Sequence, residues 1–529
     1  MLCKEIVILL LLTLIGRVAE AQTYTDNDQG ADQPNVIIIY TDQQRYNTIQ
    51  ALDNPHIHTP NLDRLAREGM AFTQTFVTAP VCVASRTSLL SGMYHTRLQT
   101  YSNHHTGHRP TTSLPLALRE KGYFTSVLGK NHSFLDAQDV EKFVPTAPFE
   151  KHPEDGRSAG KKMPWSAEED PTRLLTNAAM HLLDSVLLQP DPQDRQPMFM
   201  WLSYFYPHTP YLAPEPYFSM YDTVNIPAPA IEPEGLADAN KPFRQVFHQD
   251  NTNRLLPYDE EKVMRMRRTY YGMVSFVDDE IGRLLDYLEE NQLRENTIIL
   301  FTSDHGDYMG DHGMMTKSPA MYDCLTRVPF LMSWPGHIPT AQKYDGVVSQ
   351  IDIMPTILDL LNVKVPKRVQ GKSFTGVLRG DTDQPYRQYA FATYGLPGRK
   401  PVASFAEINE LMPHYESNPV NWAPGIPWEG NPISLAGTFQ MVRSKDWKLV
   451  YEAGGTSELY DMVNDPHELT NLYGQAAYEE IQGTLSEALA SWKEEHTDDS
   501  NTANNLAQEN LNRYLKFRQA GKSPTGMYK

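Results

Sequence analysis

The 529-residue sequence predicts an α/β fold: a large, mixed but mostly parallel sheet flanked by helices, followed by a smaller α+β part. Three observations carry that reading. Apolar runs of strand length, first at 36–40, have the continuous character of strands covered on both faces. They alternate with segments whose apolar residues recur at helical spacing. A polar, turn-rich stretch at 379–385 then separates this pattern from a second set of short strands.

At the start, Lys4 precedes an apolar run at 6–15, and Ala19-Glu20-Ala21 supplies small residues at cleavage spacing. Residues 1–21 are therefore expected to be a secretory signal peptide, which places the mature chain outside the cytoplasm. No later run approaches the roughly 20 apolar residues of a membrane span. After the strand at 36–40, Thr59 and Pro60 predict a helix start, with Leu62, Leu65 and Ala66 on one face and Gly69 as its stop. Residues 112–121 repeat this logic and end at Gly122. Strands are predicted at 124–128, 198–204 and 297–301. A long helix at 258–290 carries Val263, Met266, Tyr270, Met273, Val277, Ile281, Leu284 and Leu288 on its apolar face. Beyond the boundary come strands at 388–392, 439–443 and 447–451, and a helix at 476–495. The predicted organisation is a signal peptide (1–21), a catalytic domain (22–380) and a C-terminal α+β subdomain (381–529).

The formal charge of −18 excludes nucleic acid as a natural partner, and an anionic substrate would need a locally positive pocket. Beyond the leader only Cys82 and Cys324 remain, so no disulfide framework is expected. One bridge between them is the structural alternative to a reactive Cys82.

Four predicted strands end in polar clusters. Residues 36–40 lead into Asp42 and Gln43, 124–128 into Lys130 and His132, 198–204 towards His208, and 297–301 into Asp304 and His305. Ligands of open α/β sheets bind beyond the carboxyl ends of the strands, so parallel neighbours would bring these clusters to one cleft. Asp42, Gln43, Asp304 and His305 are candidate metal ligands. Their oxygens suit a hard divalent ion such as calcium or magnesium, and the imidazole also admits manganese or zinc. Cys82 begins a helix-like segment ended by Gly92. A helix N-terminus lowers a thiol pKa, and Arg86, four residues on, would share its face.

The run Cys82-Val83-Ala84-Ser85-Arg86, with Gly92 six residues later, resembles the maturation signature of type I sulfatases of the alkaline phosphatase superfamily. Ala84 stands where the commoner form has Pro, as in forms familiar from bacterial carbohydrate sulfatases. The resemblance extends along nearly the whole mature chain. It includes residues 36–43, Thr59-Pro60-Asn61-Leu62-Asp63-Arg64-Leu65, Gly129-Lys130-Asn131-His132, Pro207-His208-Thr209-Pro210 and Asp304-His305-Gly306 through His312-Gly313 to Lys317. It closes with Glu458-Leu459-Tyr460-Asp461 and Asp465-Pro466-His467-Glu468.

The resemblance implies an alkaline-phosphatase-like fold and a calcium-dependent sulfuric ester hydrolase. It implies that a maturation enzyme oxidises Cys82 to formylglycine, whose hydrate attacks sulfur and then collapses to expel sulfate. Arg86 would help activate the nucleophile and Lys130 and Lys317 would clamp the sulfuryl oxygens. His208 would protonate the leaving oxygen, with His132 nearer the nucleophile; those two roles are interchangeable at this stage. His312 is an expected substrate contact, with a structural role equally open. Asn103, His104, His105 and His108 stay unassigned.

Gln43 stands where many family members carry a second Asp, and His305 where many carry Asn. Both variants resemble subgroups that include formylglycine-dependent phosphonate monoester hydrolases. Those relatives lack the Gly-Lys-x-His motif, so its presence favours sulfate. The expected substrate is a sulfated polysaccharide or oligosaccharide. The alternatives are a phosphodiesterase or phosphonate monoester hydrolase on the same scaffold, and an inactive glycan-binding relative. The one sequon, Asn131-His132-Ser133, falls within the site motif, which favours a bacterial periplasmic or extracellular setting.

Overall fold

The apolar run at 36–40 becomes β1 (Asn35–Thr41), and all seven of its residues are buried. The computed structural model describes residues 33–103, 107–145, 160–236, 240–255, 258–317, 319–381, 385–395, 401, 403–407 and 437–496. The leader, His104, His105 and the tail beyond 496 lie outside them. The strands that follow are β2 (Met70–Phe76), β3 (Phe124–Gly129), β4 (Lys142–Pro145), β5 (Lys161–Lys162), β6 (Met198–Ser203), β7 (Leu212–Ala213), β8 (Thr297–Ser303), β9 (Arg327–Ser333) and β10 (Gln342–Ser349). Eight of them form one sheet in the order β10-β2-β9-β8-β1-β6-β3-β4, and β5 pairs with β7. Only β9 runs against its neighbours in the large sheet. The four strands predicted to end in polar clusters are thus adjacent and parallel, as β8-β1-β6-β3.

Alternation along β1 explains its unbroken apolarity, because successive side chains point to opposite faces. Ile37 and Ile39 join Met200, Leu202, Ile299 and Phe301 under one helical layer. Val36, Ile38 and Tyr40 join Phe199, Trp201, Ile298 and Leu300 under the other.

The helices begin close to where the sequence predicts, with informative differences. Helix α1 (Pro60–Arg67) follows Thr59, but the threonine hydroxyl does not cap it. It accepts from Gln50 N at 2.9 Å instead, and the Asp278 carboxylate takes the Asn61 and Leu62 N–H groups. Gly69 is not a left-handed stop. A Cβ there would lie 2.2 Å from the Met332 carbonyl, so glycine is required by close approach of β9. Helix α2 (Cys82–Ser91) ends at Gly92 with φ 64°, as predicted. Helix α3 (Leu114–Arg119) is shorter than its pattern, because Ser113 caps Leu116 N. Helix α4 (Pro171–Leu187) and the 31-residue α5 (Glu260–Glu290) cover the first face of the sheet.

Strands β11 (Ala390–Tyr394), β12 (Phe439–Arg443), β13 (Trp447–Glu452) and β14 (Glu458–Asp461) form a separate antiparallel sheet. One face receives Leu485, Leu489 and Trp492 of α6 (Glu479–His496). The other packs Ala390, Ala392, Phe439, Met441 and Val450 against Phe76, Val81 and Ala84, beside the start of α2. A buried charged seam adds to this contact. Lys448 pairs with Asp323 at 2.5 Å and Glu468 at 2.6 Å, and Arg244 pairs with Glu452 and Glu458, each at 2.5 Å. Cys82 and Cys324 are both free, so no bridge joins them. Among the described residues no helix is long and apolar enough to cross a membrane.

Candidate active site

Every polar cluster predicted at a strand end lies at the carboxyl edge of the central strands. Asp42 and Gln43 follow β1 directly, Asp304 and His305 follow β8, Lys130 follows β3, and His208 lies five residues past β6. Cys82 is the first residue of α2 and is 1% exposed. Its Sγ lies 3.2 Å from His305 Nε2, 3.2 Å from Lys317 Nζ and 3.9 Å from Asp42 Oδ1. One donor atom each from Asp42, Cys82, Asp304 and His305 falls within 4.8 Å of all the others, so these four buried side chains could hold a metal ion.

Arg86, one helical turn after Cys82, is fully buried and ties the site together. Its Nη2 donates to Asp42 at 2.8 Å and its Nε to Asp304 at 2.9 Å. Its Nη1 donates to the Lys130 carbonyl at 2.7 Å and Ser203 Oγ at 2.8 Å. Buried carboxylates need such compensation. Burial alone would raise Asp42, but Lys130, His208 and Arg86 hold it well below the usual carboxylate range. Burial and the facing Asp42 push Asp304 up. Burial and Asp42 would likewise raise the Cys82 thiol, yet Lys317, Lys130 and His305 bring it well below its ordinary value.

Lys317 Nζ donates to Gln43 Oε1 at 3.1 Å and approaches His208 Nε2 at 3.2 Å. Lys130 Nζ pairs with Asp42 and lies 4.8 Å from the centre of the Phe205 ring. His208 Nδ1 is 2.7 Å from its acceptor, the Thr209 carbonyl, which turns Nε2 towards Lys317. Burial and then the two lysines push His208 well below its usual value. His305 Nδ1 donates to the Gly306 carbonyl at 2.8 Å, leaving Nε2 to face Cys82.

His132 shares the Lys130 loop at φ 41°, and its Nδ1 has no hydrogen-bond partner among the described residues. His312, the expected substrate contact, is committed elsewhere. Its Nδ1 lies 2.6 Å from Glu232 and its ring stacks on Tyr322 at 3.7 Å, which anchors the turn before Lys317. His108 is exposed, and its backbone N–H donates to the Leu98 carbonyl at 2.6 Å.

Asn103, unassigned from sequence, reaches the nucleophile position. Its Oδ1 accepts from Val83 N at 3.2 Å and its Nδ2 lies 3.9 Å from Cys82 Sγ. The second layer was also not anticipated. Asp307 accepts from Gln43 Nε2 at 2.5 Å, the Tyr211 hydroxyl at 2.6 Å and Met309 N at 2.8 Å. Burial raises the Asp307 pKa, and those donors oppose the rise. No sequence motif marks these residues; the one available signal was that Tyr211 and Asp307 flank the His208 and Asp304 motifs.

Carboxylates from two neighbouring strands thus meet at a helix N-terminus above a mostly parallel sheet, in an alkaline-phosphatase-like fold. Residues 34–363 match the family model described as Sulfatase, and residues 433–495 match that described as N-sulphoglucosamine sulphohydrolase, C-terminal. The chain belongs to the sulfatase family and is a sulfuric ester hydrolase. It is 27% identical to an arylsulfatase of Clostridium perfringens, covering 88% of this chain and 96% of that protein. It is 24% identical to an N-acetylglucosamine-6-O-sulfatase of Bacteroides thetaiotaomicron, covering 92% and 91%. Its fold is similar to that of a phosphonate monoester hydrolase from Silicibacter pomeroyi, with a TM-score of 0.71, 22% identity and coverage of 89% and 97%.

Proposed function

We propose that this sulfatase removes sulfate from a carbohydrate outside the cytoplasm, using formylglycine made from Cys82 and a calcium ion. The carrying observation is the position of Cys82, within 3.2 Å of both Lys317 Nζ and His305 Nε2 and beside two carboxylates bridged by Arg86. The residues fit a divalent ion. Two buried carboxylates and an imidazole nitrogen converge beside Cys82, with the Gln43 amide oxygen 3.1 Å from the neighbouring Lys317 Nζ, and oxygen donors favour hard cations. When bound, calcium would acidify the nucleophile's hydroxyl and draw charge from the sulfuryl oxygens. The aldehyde, as its hydrate, would supply one hydroxyl to attack sulfur and a second whose collapse releases sulfate.

The remaining work falls to the chain. Arg86 holds Asp42 and Asp304 in register. Lys130 and Lys317 bring two cations to bear on an anion in a protein of net charge −18. His208 presents Nε2 beside them, 3.2 Å from Lys317 Nζ, and is proposed to pass a proton taken up from that lysine to the leaving alcohol; His132 takes the more distant place on the Lys130 loop. His312 is proposed to hold the Lys317 turn. Asn103 positions the first turn of α2.

The carbohydrate assignment rests on the named substrate of the Bacteroides relative and the expected signal peptide; the secreted setting rests on that peptide, and the bacterial one on the sequon inside the site motif. A boundary near residue 380 between catalytic and C-terminal parts is supported by the separate antiparallel sheet. A maturation enzyme is required, and the deep burial of Cys82 means that it must act before the chain closes around the thiol.

A phosphonate or phosphodiester substrate is favoured by one observation, the Gln43–His305 ligand pair on a fold shared with a phosphonate hydrolase. Two measurements decide. Sulfate release from defined sulfated oligosaccharides is compared with hydrolysis of an aryl phosphodiester, with the former expected to dominate. The Cys82 peptide is expected to be about 18 Da lighter than the thiol form, and Cys82→Ala to abolish turnover. Thiol recovered alone, with Cys82→Ala fully active, sinks the proposal.

A further inference from the structure

Gln43 is a weak choice for a cation site, because its side chain has two nearly isosteric ends and only one can face a metal. The structure restricts it at every point. Its backbone sits in the left-handed region at φ 66°. Its carbonyl accepts from the Tyr270 hydroxyl at 2.6 Å, and its N–H donates to Asp304 Oδ1 at 2.9 Å. These contacts fix where the side chain departs but leave a half-turn of the amide open.

We infer that Asp307 is a positioning residue that selects the productive end of the Gln43 amide. Asp307 Oδ2 lies 2.5 Å from Gln43 Nε2 and also accepts from the Tyr211 hydroxyl at 2.6 Å, while Oδ1 accepts from Met309 N at 2.8 Å. A carboxylate so surrounded by donors offers only acceptors, so it takes the N–H end. On the opposite side Lys317 offers only donors, and its Nζ lies 3.1 Å from Oε1. Both neighbours demand one orientation, and it turns the amide oxygen towards Lys317 Nζ, which itself lies 3.2 Å from Cys82 Sγ in the candidate metal cluster. Asp307 touches neither cation nor substrate and acts through Gln43. The inference rests on the metal-centre reading above.

Calcium and manganese binding to the purified full chain, followed by calorimetry with Cys82 unconverted, tests the inference apart from the metal-centre reading. In Asp307→Asn the new amide cannot accept from both Gln43 and Met309 without a conflict, and divalent affinity is expected to fall about 10- to 100-fold, the usual effect of losing an outer-shell partner. The double variant Gln43→Glu with Asp307→Asn restores a donor opposite an acceptor that has no wrong end, and is expected to regain most of the affinity. Equal affinity in wild type and Asp307→Asn overturns the inference, as does a double variant no tighter than Asp307→Asn. Should Asp307→Asn fail to fold, Tyr211→Phe carries the test: a few-fold loss supports the inference and no loss overturns it. A wild-type chain that binds neither ion sinks the metal-centre reading itself.

Discussion

Arg86 shows how much of this site one residue can organise. Its guanidinium spans the two carboxylates supplied by different strands, and only the planar fork of arginine can donate to both at once. Arg86→Ala would leave two buried carboxylates without their shared partner. We expect a loss of about 3–5 kcal/mol in urea unfolding, with activity lost as well. Arg86→Lys keeps the charge but reaches one carboxylate, so its loss should be smaller in stability than in turnover. Residues of this kind were legible in the sequence, because each follows an apolar strand or sits at helical spacing from Cys82. Asn103, Tyr211 and Asp307 were not. Their roles depend on contacts between loops distant in sequence, and an Asn, Tyr or Asp in a loop has no periodicity to betray it.

At the scale of elements, most strands with two buried faces announced themselves through unbroken apolar runs, whereas β2 and β10 went unread, as did β9, whose apolar run holds Pro329. β2 carries Thr73, Gln74 and Thr75, and β10 carries Gln342, Lys343 and Asp345, so polar residues interrupt both. The segment that follows α2 makes a separate prediction. It carries Asn103 back to Cys82 and buries His95, whose Nδ1 donates to the Thr100 carbonyl at 2.8 Å. Burial lowers the His95 pKa from 6.5 to about 4. The folded protein therefore resists a proton that the unfolded chain accepts. Stability from this group is complete above pH 6.5 and is lost as pH falls from there to about 4, by roughly 3 kcal/mol in all. Melting temperatures measured across that window should drop, and His95→Gln should flatten that part of the curve; an unchanged slope would remove His95 as the cause.

Across the whole molecule the two sheets are joined by apolar packing and by the buried seam around Lys448. Asp323 of that seam lies six residues past Lys317, so the C-terminal part supports the loop that carries Lys317. Lys448→Met strands Asp323 and Glu468 in the interior, and we expect about 3–5 kcal/mol of destabilisation by chemical denaturation. Chelation should also lower the melting temperature of metal-loaded protein. A cation present at 100 times its dissociation constant contributes about 2.7 kcal/mol, and readdition should restore it.

The site sits on β8, β1, β6 and β3, all interior strands of the eight-stranded sheet. Their amides should be among the last to exchange with deuterium, since interior strands open only when the molecule does. Heat inactivation should then coincide with cooperative melting. A partly loosened chain that has already lost its cage is not an available halfway state.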